Sequence, residues 1–362
     1  MFWHFILLLV GALLFFGGLG MEVARVQYFG VLVGLVILFL AKLCKRRVDL
    51  PHGFRLFSLF LFAFLISIIW SQDRRRSFEF LVLFIGGGLF WLGFYNLREK
   101  FKKGFPWMLI FLGLAFGELF AISEYFGGLG FNYLSLFLPV TPARQHNHLG
   151  DFWALVLIVA AYLLTKKKRK IALLLIVLGG FFLTMSLSRA SYVALIVGIL
   201  YLFIRKGLVK HKRLIWFFIA LSTTLFLYAG TKKSTLLSRP YFIQAIAGFL
   251  HHPLGVGVRN FPAISSDPAN QLFSMRGFSV LAHNIILEFM TGMGIIALVF
   301  IAWLTQIGQA VWQNKSSKTF LFQALFVALS INFLFDYTYI IPTMLWLWFM
   351  TLGLSYDEKI HA

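Results

Sequence analysis

Long apolar stretches, each near the length of a membrane-crossing helix, alternate along the chain with short clusters of Lys, Arg, Gly and Ser. A hydrocarbon layer ~30 Å thick takes roughly 20 apolar residues of helix. Reading the runs between the charge clusters predicts twelve spans. They cover Phe2–Gly20, Gln27–Leu43, Phe54–Trp70, Phe78–Tyr95, Phe105–Tyr125, Leu149–Thr165, Ile171–Leu187, Ser191–Ile204, Leu214–Gly230, His283–Leu304, Thr319–Phe335 and Ile341–Ser355. The expected fold class is therefore all-α, a polytopic integral membrane protein of about twelve transmembrane helices. Residues 1–362 read as a single integral membrane domain, and 231–282 as one long outer loop with short helices, inserted before the tenth transmembrane helix. The first run carries no Lys or Arg ahead of it and no small-residue cleavage pattern after it, so it reads as a helix rather than a signal peptide.

Composition removes the soluble alternatives. Of 362 residues, 60% are hydrophobic and only 13% charged, too few charges for a water-exposed surface. The single cysteine, Cys44, cannot form an intramolecular disulfide. Nothing in the charge pattern calls for nucleic acid; the positive charge serves topology. Dividing the 33 basic residues by alternating loops puts 22 on one face (15 Lys, 7 Arg), which the positive-inside rule makes cytoplasmic together with both termini. The outer face holds the other 11, of which nine are Arg: Arg25, Arg74, Arg75, Arg76, Arg144, Arg189, Arg239, Arg259 and Arg276. Topology needs only positive charge. A guanidinium fork also suits phosphate and carboxylate oxygens, so the outer set points to an anionic ligand, although any one of these Arg can equally anchor a helix end at the headgroups.

Four outer patterns carry candidate chemistry. Arg144-Gln145-His146-Asn147-His148 precedes the sixth span; it reads as a loop, and its two His lack a third metal ligand, leaving capping or hydroxyl recognition. Ser186-Leu187-Ser188-Arg189-Ala190-Ser191 forms a tight turn that sets Arg189 at the membrane boundary, where it either snorkels or faces a protein cavity. Ser238-Arg239-Pro240 starts a short helix that runs through Tyr241, Phe242, Ile246 and Leu250 and stops before Pro253; Gly255, Gly257 and Arg259 follow, a Gly-x-Gly too common to define a nucleotide site. His283-Asn284 opens the tenth span. A helix N-terminus disfavours imidazolium, so His283 is a general base or simply a cap. Glu288 reads as a buried partner for an Arg, and Asp336 as a counter-charge or an acceptor-binding group. No Asp-x-Asp pair occurs, so no divalent-cation cage and no cofactor are expected.

The order Ser186-Leu187-Ser188-Arg189, Arg239 leading a short helix, Pro253-Leu254-Gly255-Val256-Gly257 with Asn260-Phe261, then His283-Asn284 with Gly292 and Gly294, resembles the O-antigen ligase and polymerase superfamily of GT-C type membrane glycosyltransferases. The resemblance is strongest from Arg144 to Gly294. It implies a metal-independent, inverting transfer of a glycan from undecaprenyl diphosphate to a hydroxyl on the periplasmic side of the bacterial inner membrane. It further implies that Arg189 and Arg239 hold the donor diphosphate and that His283 deprotonates the acceptor, with Arg259, Arg144, Asn284 and Asp336 as further substrate-binding positions. The ligase branch, with lipid A-core as acceptor partner, fits the single dominant late loop best. A polymerase joining lipid-linked repeats is the close alternative. A lipid-linked glycan transporter would instead require charges through the depth of several spans and a pseudo-repeat.

Overall fold

The computed structural model describes residues 2–18, 24–128, 142–207, 240–271 and 277–357, with residues 216, 220, 223, 224 and 227 between them. Among the described residues every regular element is helical. In chain order they are α1 (Phe2–Gly18), α2 (Ala24–Lys45), α3 (Phe54–Ser67), α4 (Arg74–Asn96), α5 (Arg98–Phe101), α6 (Phe105–Gly128), α7 (Pro142–Thr165), α8 (Arg169–Ser186), α9 (Arg189–Arg205), α10 (Pro240–His251), α11 (Phe261–Ser266), α12 (Ile285–Met293), α13 (Leu298–Gln313), α14 (Phe320–Phe335) and α15 (Pro342–Leu354). Five described helical stretches are long and apolar enough to cross a membrane: Val26–Lys45, Arg74–Asn96, His148–Thr165, Arg169–Ser186 and Ile285–Gln313. The shorter apolar helices Phe2–Phe15, Phe54–Trp70, Phe105–Leu119, Phe320–Phe335 and Pro342–Leu354 add to the bundle. The predicted span 214–230 lies largely outside the described residues.

Two elements differ from the sequence reading. The polar run 144–148, expected as a loop, belongs to the first turns of α7, which starts at Pro142 because a proline at the first helical position loses no hydrogen bond. The tenth span is longer than expected and broken: α12 ends at Met293, Gly294–Ala297 tightens to a 3-10 turn, and α13 continues to Gln313.

Helix α15 is buried along its whole length, as expected of a helix apolar on every side. Its Trp346 and Phe349 press on the backbone of α2 and α4 where Gly30, Gly86 and Gly87 leave no Cβ in the way. Phe57, Phe60, Phe289, Phe300, Trp303 and Phe349 join α3, α12, α13 and α15 in one aromatic core, with edge-on and tilted ring contacts such as Phe60–Phe289 at 5.1 Å. By contrast α2 and α8 carry exposed rows, Phe29, Leu32, Val36 and Phe39 on one and Leu173, Leu174, Val177 and Phe181 on the other. Such faces are stable only against hydrocarbon or another apolar surface.

Helix α7 has its polar start at one end of the bundle and its lysine-rich exit at the other. At the exit, three loops expected on the same face converge, since Lys102, Lys103, Lys166, Lys168 and Lys318 line one cleft. At the opposite end the loop after α10 docks onto the break between α12 and α13 through backbone alone. Val256 N–H donates to Thr291 C=O at 3.0 Å, Gly257 N–H to Gly292 C=O at 2.8 Å, and Ile295 N–H to Pro253 C=O at 2.9 Å. The loop is also tied to α4: the Ser77 hydroxyl donates to Val258 C=O at 2.6 Å.

Candidate functional site

His283 does not begin the helix; it sits one residue before the cap. Asn284 is the N-cap of α12, its side-chain oxygen accepting from Ile286 and Leu287 N–H at 2.9 and 3.0 Å while its amide donates to Leu334 C=O at 2.9 Å. Those bonds take the Asn284 oxygen and one of its amide N–H groups, and they fix α12 to the end of α14. The chain leaves the cap with His283 in the left-handed region, φ 53°. This throws the imidazole sideways onto three neighbours. The ring stacks on Tyr241 of α10 (centroids 4.3 Å, 19°) and meets Tyr337 edge-on (4.8 Å, 87°). Its Nδ1 lies 3.7 Å from Asp336 Oδ1. The imidazole keeps 23% of its side-chain surface exposed against 5% for the Asp336 carboxylate, so the ring is reachable and the carboxylate beside it is not.

Asp336 directly follows α14, where the helix ends and the backbone turns extended, and Tyr337 N–H donates to its Oδ1 at 2.7 Å. Burial by itself would raise this carboxyl. The neighbouring His283 ring outweighs burial, helped by the Tyr337 N–H and by His148, and holds Asp336 below the usual carboxylate range. Burial, and then the Asp336 charge, push the Tyr337 phenol above its ordinary value.

One layer deeper lies a group that the sequence reading missed. Asp151, buried on α7, accepts from the Ser191 hydroxyl and the Asn332 amide, both at 2.5 Å. Thr338 donates to Asn332 Oδ1 at 2.6 Å. Ser188 caps α9 by accepting from Ser191 N–H, so the Ser-rich turn exists to bring α9 against α7, and Gly150 clears the space, as a Cβ there would run into the Ser186 and Ser191 hydroxyls. Arg189, the first residue of α9, is carried on this turn at 9% exposure, inside the protein rather than out in the headgroups. His148, one turn before Asp151, is buried with neither ring nitrogen hydrogen-bonded and its ring 6.0 Å from that of Tyr337. The legible signal for Asp151 was a lone acid in the first turns of an apolar run.

Arg259 is placed by Glu288. This buried carboxyl accepts from Arg259 N–H at 3.1 Å on one oxygen, and from Ala282 N–H at 3.0 Å and the Tyr339 hydroxyl at 3.2 Å on the other. One side chain thereby pins the backbone on both sides of the site, and Arg259, like His283, has a positive φ, 70°. Glu288 was expected as a buried partner for an Arg, and it is buried beside Arg259, accepting from that residue's backbone N–H and interacting electrostatically with its guanidinium. The Arg259 guanidinium lies over the Phe80 ring, 5.8 Å from its centroid. Gly255 and Gly257 do not present free N–H groups to an anion, because those donate to His252 and Gly292 C=O, both at 2.8 Å. His251 pairs with Asn270 at 2.7 Å, a structural role at the end of α10. Arg239 and Arg276 lie outside the described residues, as do the side chains of Arg144, His146 and Asn147.

The structure thus brings His283, Asp336, Tyr337, Tyr241 and His148 together beside the Asp151 layer, with Arg259 tied to the same segment through Glu288. An imidazole whose Nδ1 faces a buried carboxylate can take a proton at Nε2. Among the described residues no group of three His, Cys, Asp or Glu side chains is disposed to hold a metal ion. No protein-family model matches the chain, and no curated protein matches it.

Proposed function

We propose that the chain is a glycosyltransferase of the bacterial inner membrane, moving a glycan from undecaprenyl diphosphate to a hydroxyl of lipid A-core at the periplasmic end of a bundle of about twelve spans. Both termini then lie in the cytoplasm. The observation that carries this reading is the partly exposed His283 imidazole set against the buried Asp336 carboxylate, at the bundle end opposite the lysine-rich loops. In the proposed reaction the acceptor hydroxyl gives its proton to His283 Nε2 as its oxygen forms a bond to the anomeric carbon. The bond from that carbon to the diphosphate oxygen breaks, its electron pair leaves with the diphosphate, and the configuration inverts. Asp336 stabilises the imidazolium that forms. Arg144, Arg189, Arg239 and Arg259 neutralise the charge gathering on the leaving diphosphate, an interaction stronger in the transition state than in the ground state.

The test is a reconstituted assay with lipid-linked glycan, run with and without lipid A-core. His283→Ala is expected to abolish transfer while donor still binds, and Arg189→Ala to weaken donor binding as well. Near-normal turnover by His283→Ala would remove the general-base role. Product formed only with core supports a ligase; chain extension without core supports the polymerase reading. Donor translocation with no new glycosidic bond would point to a transporter, a reading for which the buried Asp151 and Asn332 are the relevant polar residues.

A further inference from the structure

The lysine-rich end of the bundle holds a cleft of about 780 Å³ that the proposed transfer does not use. Its rim is Lys102, Lys103, Lys166, Lys168 and Lys318, contributed by three separate loops, while Ile110, Leu163, Leu321 and Phe322 line it with apolar surface. Among the described residues Glu99 is the only carboxylate lining it, and Lys102 takes that group at 2.7 Å. With Glu99 taken by Lys102, the ammonium groups of Lys103, Lys166, Lys168 and Lys318 face one cleft with no second acid among its described lining residues. Two of them sit over aromatic rings, Lys168 over Trp107 at 5.1 Å and Lys166 over Tyr162 at 5.7 Å. Next door, burial and then the Lys166 charge pull the Lys206 ammonium down to about 8.

Trp107 also lines a second, apolar groove of about 610 Å³ between α1 and α6, walled by Leu7, Leu8, Phe15, Met108, Phe111 and Ala115. The lysine cleft and the oily groove are thus neighbours across one indole at the end of a membrane helix. We infer that they form a single site for an anionic phospholipid, its headgroup phosphate in the lysine cleft and an acyl chain along the α1–α6 groove. Charge complementarity selects the headgroup and the apolar walls select the chain; a soluble phosphate would use the first and leave the second empty. This site is independent of the transfer proposed above and stands at the other end of the molecule.

The experiment uses the full chain in phosphatidylcholine nanodiscs, titrated with dioleoyl phosphatidylglycerol, with retained lipid counted by native mass spectrometry. Phosphatidylglycerol is expected to be retained over phosphatidylcholine. At roughly fivefold per lysine, the triple variant Lys166→Gln, Lys168→Gln, Lys318→Gln loses about 100-fold of that preference. All three side chains are exposed, and a monodisperse, thermally unchanged variant confirms that the fold persists. Ala115→Phe fills the groove and is expected to weaken phosphatidylglycerol retention with the lysines intact. Equal retention of the two lipids by the native protein, or a preference that survives the triple substitution, overturns the inference. Displacement of phosphatidylglycerol by an equal concentration of inorganic pyrophosphate, together with undiminished retention in Ala115→Phe, would show a free-phosphate site and overturn it as well.

Discussion

Glu288 is the residue whose removal should damage the site most without touching a substrate. Its two oxygens accept from Arg259 N–H, Ala282 N–H and the Tyr339 hydroxyl, all within 3.0–3.2 Å, the first bond part-buried and the other two buried. The backbone it holds is left-handed at Arg259 (φ 70°) and His283 (φ 53°), a conformation that costs roughly 1–2 kcal/mol per residue without support. Glu288→Gln keeps one good acceptor and turns an N–H toward a donor, so one buried donor is orphaned at about 1–3 kcal/mol. Glu288→Ala orphans all three. Tyr339→Phe removes a single donor and leaves the carboxyl with both N–H groups, the mildest change. We expect transfer activity to fall in the order Tyr339→Phe, Glu288→Gln, Glu288→Ala, with the glutamine variant down about 10- to 100-fold in kcat/KM. Hydrogen exchange of the Ala282 and Arg259 amides supplies a readout that needs no substrate, and both should lose protection in Glu288→Ala. If Glu288→Ala keeps those amides protected, or is more active than Tyr339→Phe, the positioning argument is wrong.

Two further outcomes follow from the geometry. Because Asp336 titrates below the usual carboxylate range, its ionised form stabilises the fold above the unfolded value of about 4, and that contribution is lost as pH falls through the lower folded value. Asp336→Asn should therefore melt below the native protein at pH 7, with the gap closing toward pH 3; a gap independent of pH would show that the carboxylate charge contributes nothing. Gly294 has φ 60° and ψ −141°, and a Cβ on it would collide with Pro253 C=O, so Gly294→Ala should cost at least about 3 kcal/mol and undock the loop, seen as a lower melting temperature. A melting temperature matching that of the native protein would refute the backbone-docking account.

The helical class and most helix positions were legible because apolar run length is a direct physical requirement of a hydrocarbon layer, and α10 was legible because Pro240 and Pro253 bracket it. The break at Gly294 was not, since its cause is the docking of Pro253–Gly257, some forty residues earlier in the chain, where the Gly255 and Gly257 N–H groups donate to neighbouring carbonyls that no local pattern identifies. His283 and Asp336 were each visible as isolated titratable residues at span ends, yet their pairing depends on the left-handed turn at His283. Asp151 was visible only as a lone acid in an apolar run, which marks a buried polar group without naming its partners; the meeting of α7, α9 and α14 supplies them.

The wholly enclosed α15 has a consequence for how the molecule is made. Translation delivers it after α1, α2, α4 and α14, the helices against which it packs. The ring around it must stay parted in the bilayer until it arrives, and the glycine-lined seats for Trp346 and Phe349 stand vacant meanwhile. Ribosome stalling before residue 342 would strand a half-assembled shell with its inner walls open to lipid, a ready target for membrane quality-control proteases.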